Sequence, residues 1–73
     1  MKGTKNLQID HVYRAFDKND CFRYMLRITK ITDTYSIGKV VGSGIHKQAV
    51  ETWEYVDQGT LSQAQNKYPE EFL

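Results

Sequence analysis

Residues 22–33 have the sequence FRYMLRITKITD, which alternates like a half-buried strand and then shifts phase before its end. The large apolar side chains in the first half of this run share one face, which we expect to be buried: Phe22, Tyr24, Leu26 and Ile28. One extra residue near Thr29 or Lys30 would return Ile31 to that face, whereas a strand ending at Thr29 would leave Ile31 in a turn. β-Branched residues continue to Thr32 and favour the first interpretation. We therefore expect a long strand with a bulge. A bulge bends the strand, and such bends allow small antiparallel sheets to curl.

Shorter apolar runs on either side of this strand predict a meander. Residues 9–16 form the first strand candidate, and residues 17–20 are turn formers that make a hairpin with the long strand. We expect Asn19 to adopt the left-handed conformation in that turn. A second turn at residues 33–34 leads to a third strand at residues 35–41.

The segment 45–57 leaves two interpretations open. Five of its apolar residues have helical spacing: Ile45, Ala49, Val50, Trp53 and Val56. Residues 50–56 are nevertheless dense in β-branched and aromatic side chains, which favour a strand. We favour a fourth strand because a three-stranded meander leaves an open edge that needs a partner. In both interpretations Trp53 belongs to the core.

A short helix is expected after this segment. The sequence TLSQ at residues 60–63 matches a capping box, in which the Thr60 hydroxyl accepts from the Gln63 N–H and the Gln63 side chain accepts from the Thr60 N–H. The helix should span residues 60–68, because Pro69 stops it. The sequence thus predicts one domain with four parts: a polar, mobile leader at 1–6, a sheet at 7–57, the helix at 60–68 and a tail at 69–73 that folds back.

The fold class predicted from these elements is mainly β with a short C-terminal helix. Its architecture is expected to be a small SH3-like antiparallel barrel or a curled meander. The alternative is an α+β fold in which a helix at about residues 45–57 packs on a three-stranded meander.

Length and composition favour a surface function over an enclosed active site. A chain of 73 residues has few large apolar residues to spare for lining a cavity, so we expect no enzyme. Cys21 is the only cysteine, and no apolar segment suggests a signal peptide or a membrane span; we expect a cytoplasmic protein without a membrane partner. Cys21, His11 and His46 lack the spacing of a zinc site, so neither a metal nor a cofactor is predicted.

Charge is distributed unevenly along the chain. Residues 1–50 carry nine Lys or Arg and four Asp, a net charge of +5, whereas residues 51–73 carry −4. Five basic residues are candidates for a ladder that binds the phosphates of a nucleic acid: Arg14, Arg23, Arg27, Lys30 and Lys39. In that interpretation Arg23 and Arg27 share one strand face. The other interpretation is an ordinary solvated face, balanced by the acidic C-terminal region.

Aromatic residues suggest a second kind of contact. Five tyrosines and one tryptophan are more than a core of this size can bury fully. We therefore expect some tyrosines to reach the surface, where they favour protein interfaces. The candidates for partner contact are Tyr13, Tyr35 and Tyr55. The alternative is that such rings close the ends of the core.

The order of strands and turns resembles a small SH3-like barrel. Its strands are represented by HVYRAF at 11–16, YMLRI at 24–28 and IGKVV at 37–41. The pattern is similar to compact modules of bacterial and bacteriophage accessory proteins. This resemblance implies a binding module whose loops and sheet edge engage another molecule. The first hypothesis is a protein-binding modulator of a host protein, the second is a nucleic-acid-binding barrel, and an exposed strand edge would also allow a homodimer.

Overall fold

A computed structural model describes residues 6–72 and confirms the mainly β class. The secondary structure elements are β1 (His11–Phe16), β2 (Phe22–Ile31), β3 (Ser36–Val40), β4 (His46–Gln48), β5 (Glu54–Thr60), α1 (Leu61–Lys67) and a 3₁₀ helix (Pro69–Phe72). The first five residues of the predicted leader lie outside the described part of the chain, as does Leu73.

The strands form one antiparallel sheet in the order β4-β3-β2-β1-β5. The predicted three-stranded meander is confirmed, and β4 extends it. β5 returns across the sheet to pair with β1. Within the described residues β4 and β5 do not pair with each other, so the sheet stays open instead of closing into a barrel.

The alternative helix at residues 45–57 is wrong. The segment contributes to two strands, and a turn lies between them in which the Trp53 N–H donates to the Val50 carbonyl at 3.1 Å. The β-branched and aromatic residues of β5 cover the open edge of β1, as the strand interpretation required.

The predicted bulge in β2 is present, but its effect on Ile31 differs from the prediction. Ile28 pairs with Gly38 and Lys30 pairs with Ile37, so Thr29 is the extra residue. Ile31 is still 43% exposed, because it ends the strand beyond the residues that the core covers.

A second bulge lies at the start of β2. Phe16 pairs with Phe22 and Ala15 pairs with Tyr24, so Arg23 has no cross-strand counterpart in this ladder. The extra residue turns Phe22 and Tyr24 to opposite faces of the sheet, although they are two positions apart. The prediction that Phe22 is buried is therefore wrong, since its side chain is 43% exposed.

The hairpin turn before β2 is held by a carboxylate. Asp17 accepts the N–H groups of Asn19 and Cys21 at 2.9 and 3.0 Å. The hydrogen bond from Cys21, with those from Asn19 and Arg23, lowers the pKa of Asp17. The left-handed residue is Asp20, with φ of 62°, and not Asn19 as predicted. Both residue types tolerate this conformation, so composition alone does not choose between them.

The sheet has a core on each face. One core is formed by residues of the strands and of the connection after β4: Tyr13, Ala15, Leu26, Ile28, Ala49 and Tyr55, with Leu7, Tyr24, Val40 and Trp53 packed against them. The other core lies under α1 and the 3₁₀ helix: Val12, Met25 and Ala64, with Val41, Tyr68 and Phe72. The tail therefore folds back on the domain through Phe72, as predicted.

The capping box of α1 is confirmed. The Gln63 N–H donates to the Thr60 hydroxyl at 3.4 Å, and the Thr60 N–H donates to the Gln63 side-chain oxygen at 2.8 Å. Substitution Thr60→Ala removes the cap and should lower the free energy of unfolding by about 1 kcal/mol. Ser62→Ala is the matched control, because Ser62 is exposed two residues further along, in the first turn of α1, and is expected to change stability by less than about 0.5 kcal/mol. Urea unfolding followed by circular dichroism measures both, and equal losses would contradict the role of the cap.

Candidate binding surface around Arg14

The guanidinium of Arg14 lies among three aromatic rings. Its central carbon is 4.4 Å from the centroid of Phe22, 5.0 Å from that of Tyr68 and 5.7 Å from that of Phe16. The rings of Phe16 and Phe22 also meet edge to face, with centroids 5.8 Å apart. These contacts are within the range of cation–π attraction, so they hold the guanidinium in place.

Three separate elements bring these groups together. Arg14 and Phe16 are two residues apart in β1, so they point to the same face of the sheet. The bulge at Arg23 turns Phe22 to that face. Tyr68 follows α1 and its N–H closes the last turn on the Ala64 carbonyl at 2.8 Å, while packing against the core under α1 holds Tyr68 beside the sheet.

The surroundings of Arg14 are apolar and accessible. Val56 is the cross-strand partner of Arg14 and is 40% exposed, and Phe22 is 43% exposed. We call this region the Arg14 surface, which comprises Arg14, Phe16, Phe22, Val56 and Tyr68. Such a combination of aromatic rings and an arginine is typical of the centres of protein interfaces.

The predicted basic ladder is divided by the structure. The second bulge places Arg23 5.4 Å from the ring of Trp53, which packs in the core opposite α1, and its guanidinium donates to Asp17 at 3.3 Å. Arg27 lies on the helix side and donates to Asp10 at 3.2 Å. Arg23 and Arg27 therefore do not share one face.

The two lysines of the ladder also separate. Lys39 is the cross-strand partner of Arg27, and both line an open cleft of about 330 Å³ between the turn at residues 41–44 and α1. Lys30 lies elsewhere, opposite Ile37 at the bulge. Only Arg27 and Lys39 of the five predicted cations are thus direct cross-strand neighbours.

Two of the three candidate tyrosines are core residues. Tyr13 and Tyr55 are buried, and their hydroxyls accept the N–H groups of Gln8 and Val50 at 2.8 and 2.7 Å. Burial raises the pKa of both hydroxyls. The expectation that Tyr13 and Tyr55 reach the surface is wrong. Their rings fill the core, and their hydroxyls accept backbone N–H groups from loop residues. Tyr35 is half-buried beside a shallow depression at the β2–β3 turn.

Residues 6–72 contain no group of three His, Cys, Asp or Glu side chains placed to hold a metal ion. Within the same residues no helix has the length and apolar character needed to cross a membrane.

Comparison with known proteins gave no match to a family model, to a curated protein or to a solved structure.

Sequence reasoning found one member of the Arg14 surface and missed four. Arg14 is a candidate because of its charge. Alternation places Phe22 on the buried face, Tyr68 ends the predicted helix, and Phe16 and Val56 receive no contact role. The available signal was the aromatic residue on each side of the hairpin turn. It indicates a surface cluster only once Arg23 is known to be a bulge.

Proposed function

We propose that the chain is a small non-enzymatic binding module that recognises a protein partner through the Arg14 surface. The observation that supports this most directly is the half-exposed Phe22 ring stacked on the Arg14 guanidinium at 4.4 Å. Val56 and Tyr68 extend the apolar area on either side of Arg14.

Physical reasons support binding at this position. Rigid aromatic rings give a large contact area at a small cost in side-chain entropy. Arg14 is already held by three rings, so little of its freedom is lost when a partner binds. Apolar area that stays exposed in the free module is released from water in a complex.

The nucleic-acid hypothesis has weaker support. A phosphate ladder needs several unpaired cations along one track, but Arg23 and Arg27 each have an aspartate partner. The neighbouring Arg27 and Lys39 are what remains of that ladder. Retention on nucleic acid that falls steeply with salt would favour this second function over the first.

A photo-crosslinker on Cys21 tests the proposed function. Cys21 is exposed, is the only cysteine of the chain and precedes Phe22 directly. A labelled chain incubated with a lysate of the source organism should give a discrete crosslinked protein band. The position control carries the label on Thr34→Cys in a Cys21→Ser background, at the opposite end of β2, and should give no such band.

Substitution Phe22→Ala should reduce the crosslinked product about tenfold or more, as expected for an interface centre. Ile45→Ala is the matched control, because Ile45 is 57% exposed but lies on the loop before β4. Circular dichroism checks that both variants remain folded. Crosslinking that is equal from both label positions, or that survives Phe22→Ala unchanged, would contradict the proposal.

A further inference from the structure

We infer that Arg14 binds a carboxylate of the partner, so that the recognised segment carries an Asp or Glu next to an apolar side chain. This inference rests on the proposed function and adds the chemistry of the partner to it.

The three arginines of the chain differ in how their charge is matched. Arg23 donates to Asp17 and Arg27 donates to Asp10, each at a distance within 3.3 Å. Within residues 6–72 the Arg14 guanidinium has neither an ion pair nor a hydrogen bond, and its contacts are with aromatic rings. Arg14 is therefore the arginine that has no hydrogen-bond acceptor among the described residues, so a partner could provide one.

The geometry of the cluster suits a carboxylate. A guanidinium carries five N–H donors in its plane, and those of Arg14 donate to no oxygen within residues 6–72. Two parallel N–H groups match the two oxygens of a carboxylate, and such bidentate pairs are the stronger class of hydrogen bond. Phe22 and Tyr68 already restrict the Arg14 side chain, so it loses less conformational entropy on pairing than a flexible cation would.

The apolar side chains beside Arg14 indicate which kind of partner residue lies next to that carboxylate. Phe22 and Val56 flank Arg14 and are each about two-fifths exposed, so an adjacent apolar side chain of the partner would cover them. Covering them also excludes water from the ion pair, which strengthens it. Lys67, with its Nζ 5.9 Å from the Tyr68 ring, and Glu54, the cross-strand partner of Phe16, add one charge of each sign nearby, so the preference for an acid rests on Arg14 itself.

Selection from a display library of random linear peptides tests the inference. The wild-type chain should enrich peptides in which Asp or Glu adjoins an apolar residue. An enriched peptide is then synthesised with its acidic residue intact and with that residue replaced by the neutral amide. Isothermal calorimetry should show the amide peptide binding the wild-type chain about tenfold or more weakly, the loss expected for a charge-assisted hydrogen bond.

Arg14→Leu completes a double-mutant cycle with the two peptides, and two further variants test the role of the planar fork and of general charge. Arg14→Leu removes the charge but keeps apolar contact with the rings, and it should weaken the acidic peptide about tenfold while leaving the amide peptide nearly unchanged. Arg14→Lys keeps the charge without the planar fork and should recover only part of the loss. Lys47→Leu is the control for a general charge effect, because Lys47 is exposed on β4 at the far edge of the sheet.

The outcomes separate this inference from the proposed function. Binders that depend on Phe22 but carry no enriched acid, or that lose equal affinity for both peptides in Arg14→Leu, overturn the carboxylate site and leave the binding surface standing. A library that yields no Phe22-dependent binder overturns both. Coupling between the acidic residue and Arg14 of about tenfold supports both.

Discussion

Substitution Leu26→Ala is expected to lower the free energy of unfolding by about 2–5 kcal/mol. Leu26 lies at the centre of β2, has no solvent exposure and is among the largest fully buried side chains of the described residues. Truncation removes apolar burial and leaves a cavity that a small sheet cannot collapse to fill. Domains of this size rarely have more than about 3–5 kcal/mol of stability, so most of the margin should be lost.

Urea unfolding monitored by Trp53 fluorescence measures this effect, since Trp53 packs against the same core. Ile45→Ala is again the matched control, because it removes a comparable aliphatic group from an exposed position and should cost less than about 0.5 kcal/mol. Similar losses in the two variants would show that the Leu26 core does not dominate stability.

The second large effect is expected for Gly38→Ala in β3. A Cβ at this position would lie 2.6 Å from the Leu26 Cγ and 2.7 Å from the carbonyl oxygen of Arg27. The carbonyl belongs to the neighbouring strand, so relief requires the two paired strands to shift. We expect a loss of about 1–3 kcal/mol, the usual range for overpacking. The sign is informative, because glycine in a strand interior is otherwise less stable than alanine.

The double variant Leu26→Ala with Gly38→Ala identifies the cause, with all four chains unfolded by urea at one sucrose concentration that keeps the least stable of them folded at zero urea. Truncating Leu26 removes one of the two close contacts, so the double variant should be more stable than the sum of the single losses predicts, by about 0.5 kcal/mol or more. The contact with the Arg27 carbonyl persists, so Gly38→Ala should still destabilise the truncated background. Strict additivity, or a stabilising Gly38→Ala, would rule out the steric explanation.

Local signals account for the parts of the fold that could be predicted. The turn formers at residues 17–20, the capping box at Thr60 and the phase shift near Thr29 each depend on residues close in sequence. Their physics acts over a few residues, so a single sequence contains it. The strand at residues 54–60 could also be predicted. Its β-branched residues and the open edge of the meander both favoured a strand over a helix, and the strand pairs with β1.

The candidate site was predicted poorly because it depends on register. Strict alternation from Phe22 assigns it to the core with Tyr24 and places Arg23 beside Arg27. One extra residue at Arg23 reverses both assignments, since strand faces alternate with a period of two. The sequence offers no local mark of this bulge, which follows from pairing Ala15 and Phe16 with their partners on β2.

The sequence by itself determined the β class, the hairpin, a bulge near Thr29 or Lys30 and the capped helix of this protein. Only the tertiary structure decided that Tyr13 and Tyr55 are buried, that Phe22 is exposed and that Tyr68 meets Arg14. Tyr68 and Arg14 are 54 positions apart, and they meet because β5 pairs with β1 and α1 then packs on the sheet. The physical reason is that backbone preferences and capping are local, whereas burial and the surroundings of a charge depend on which distant segments pack together.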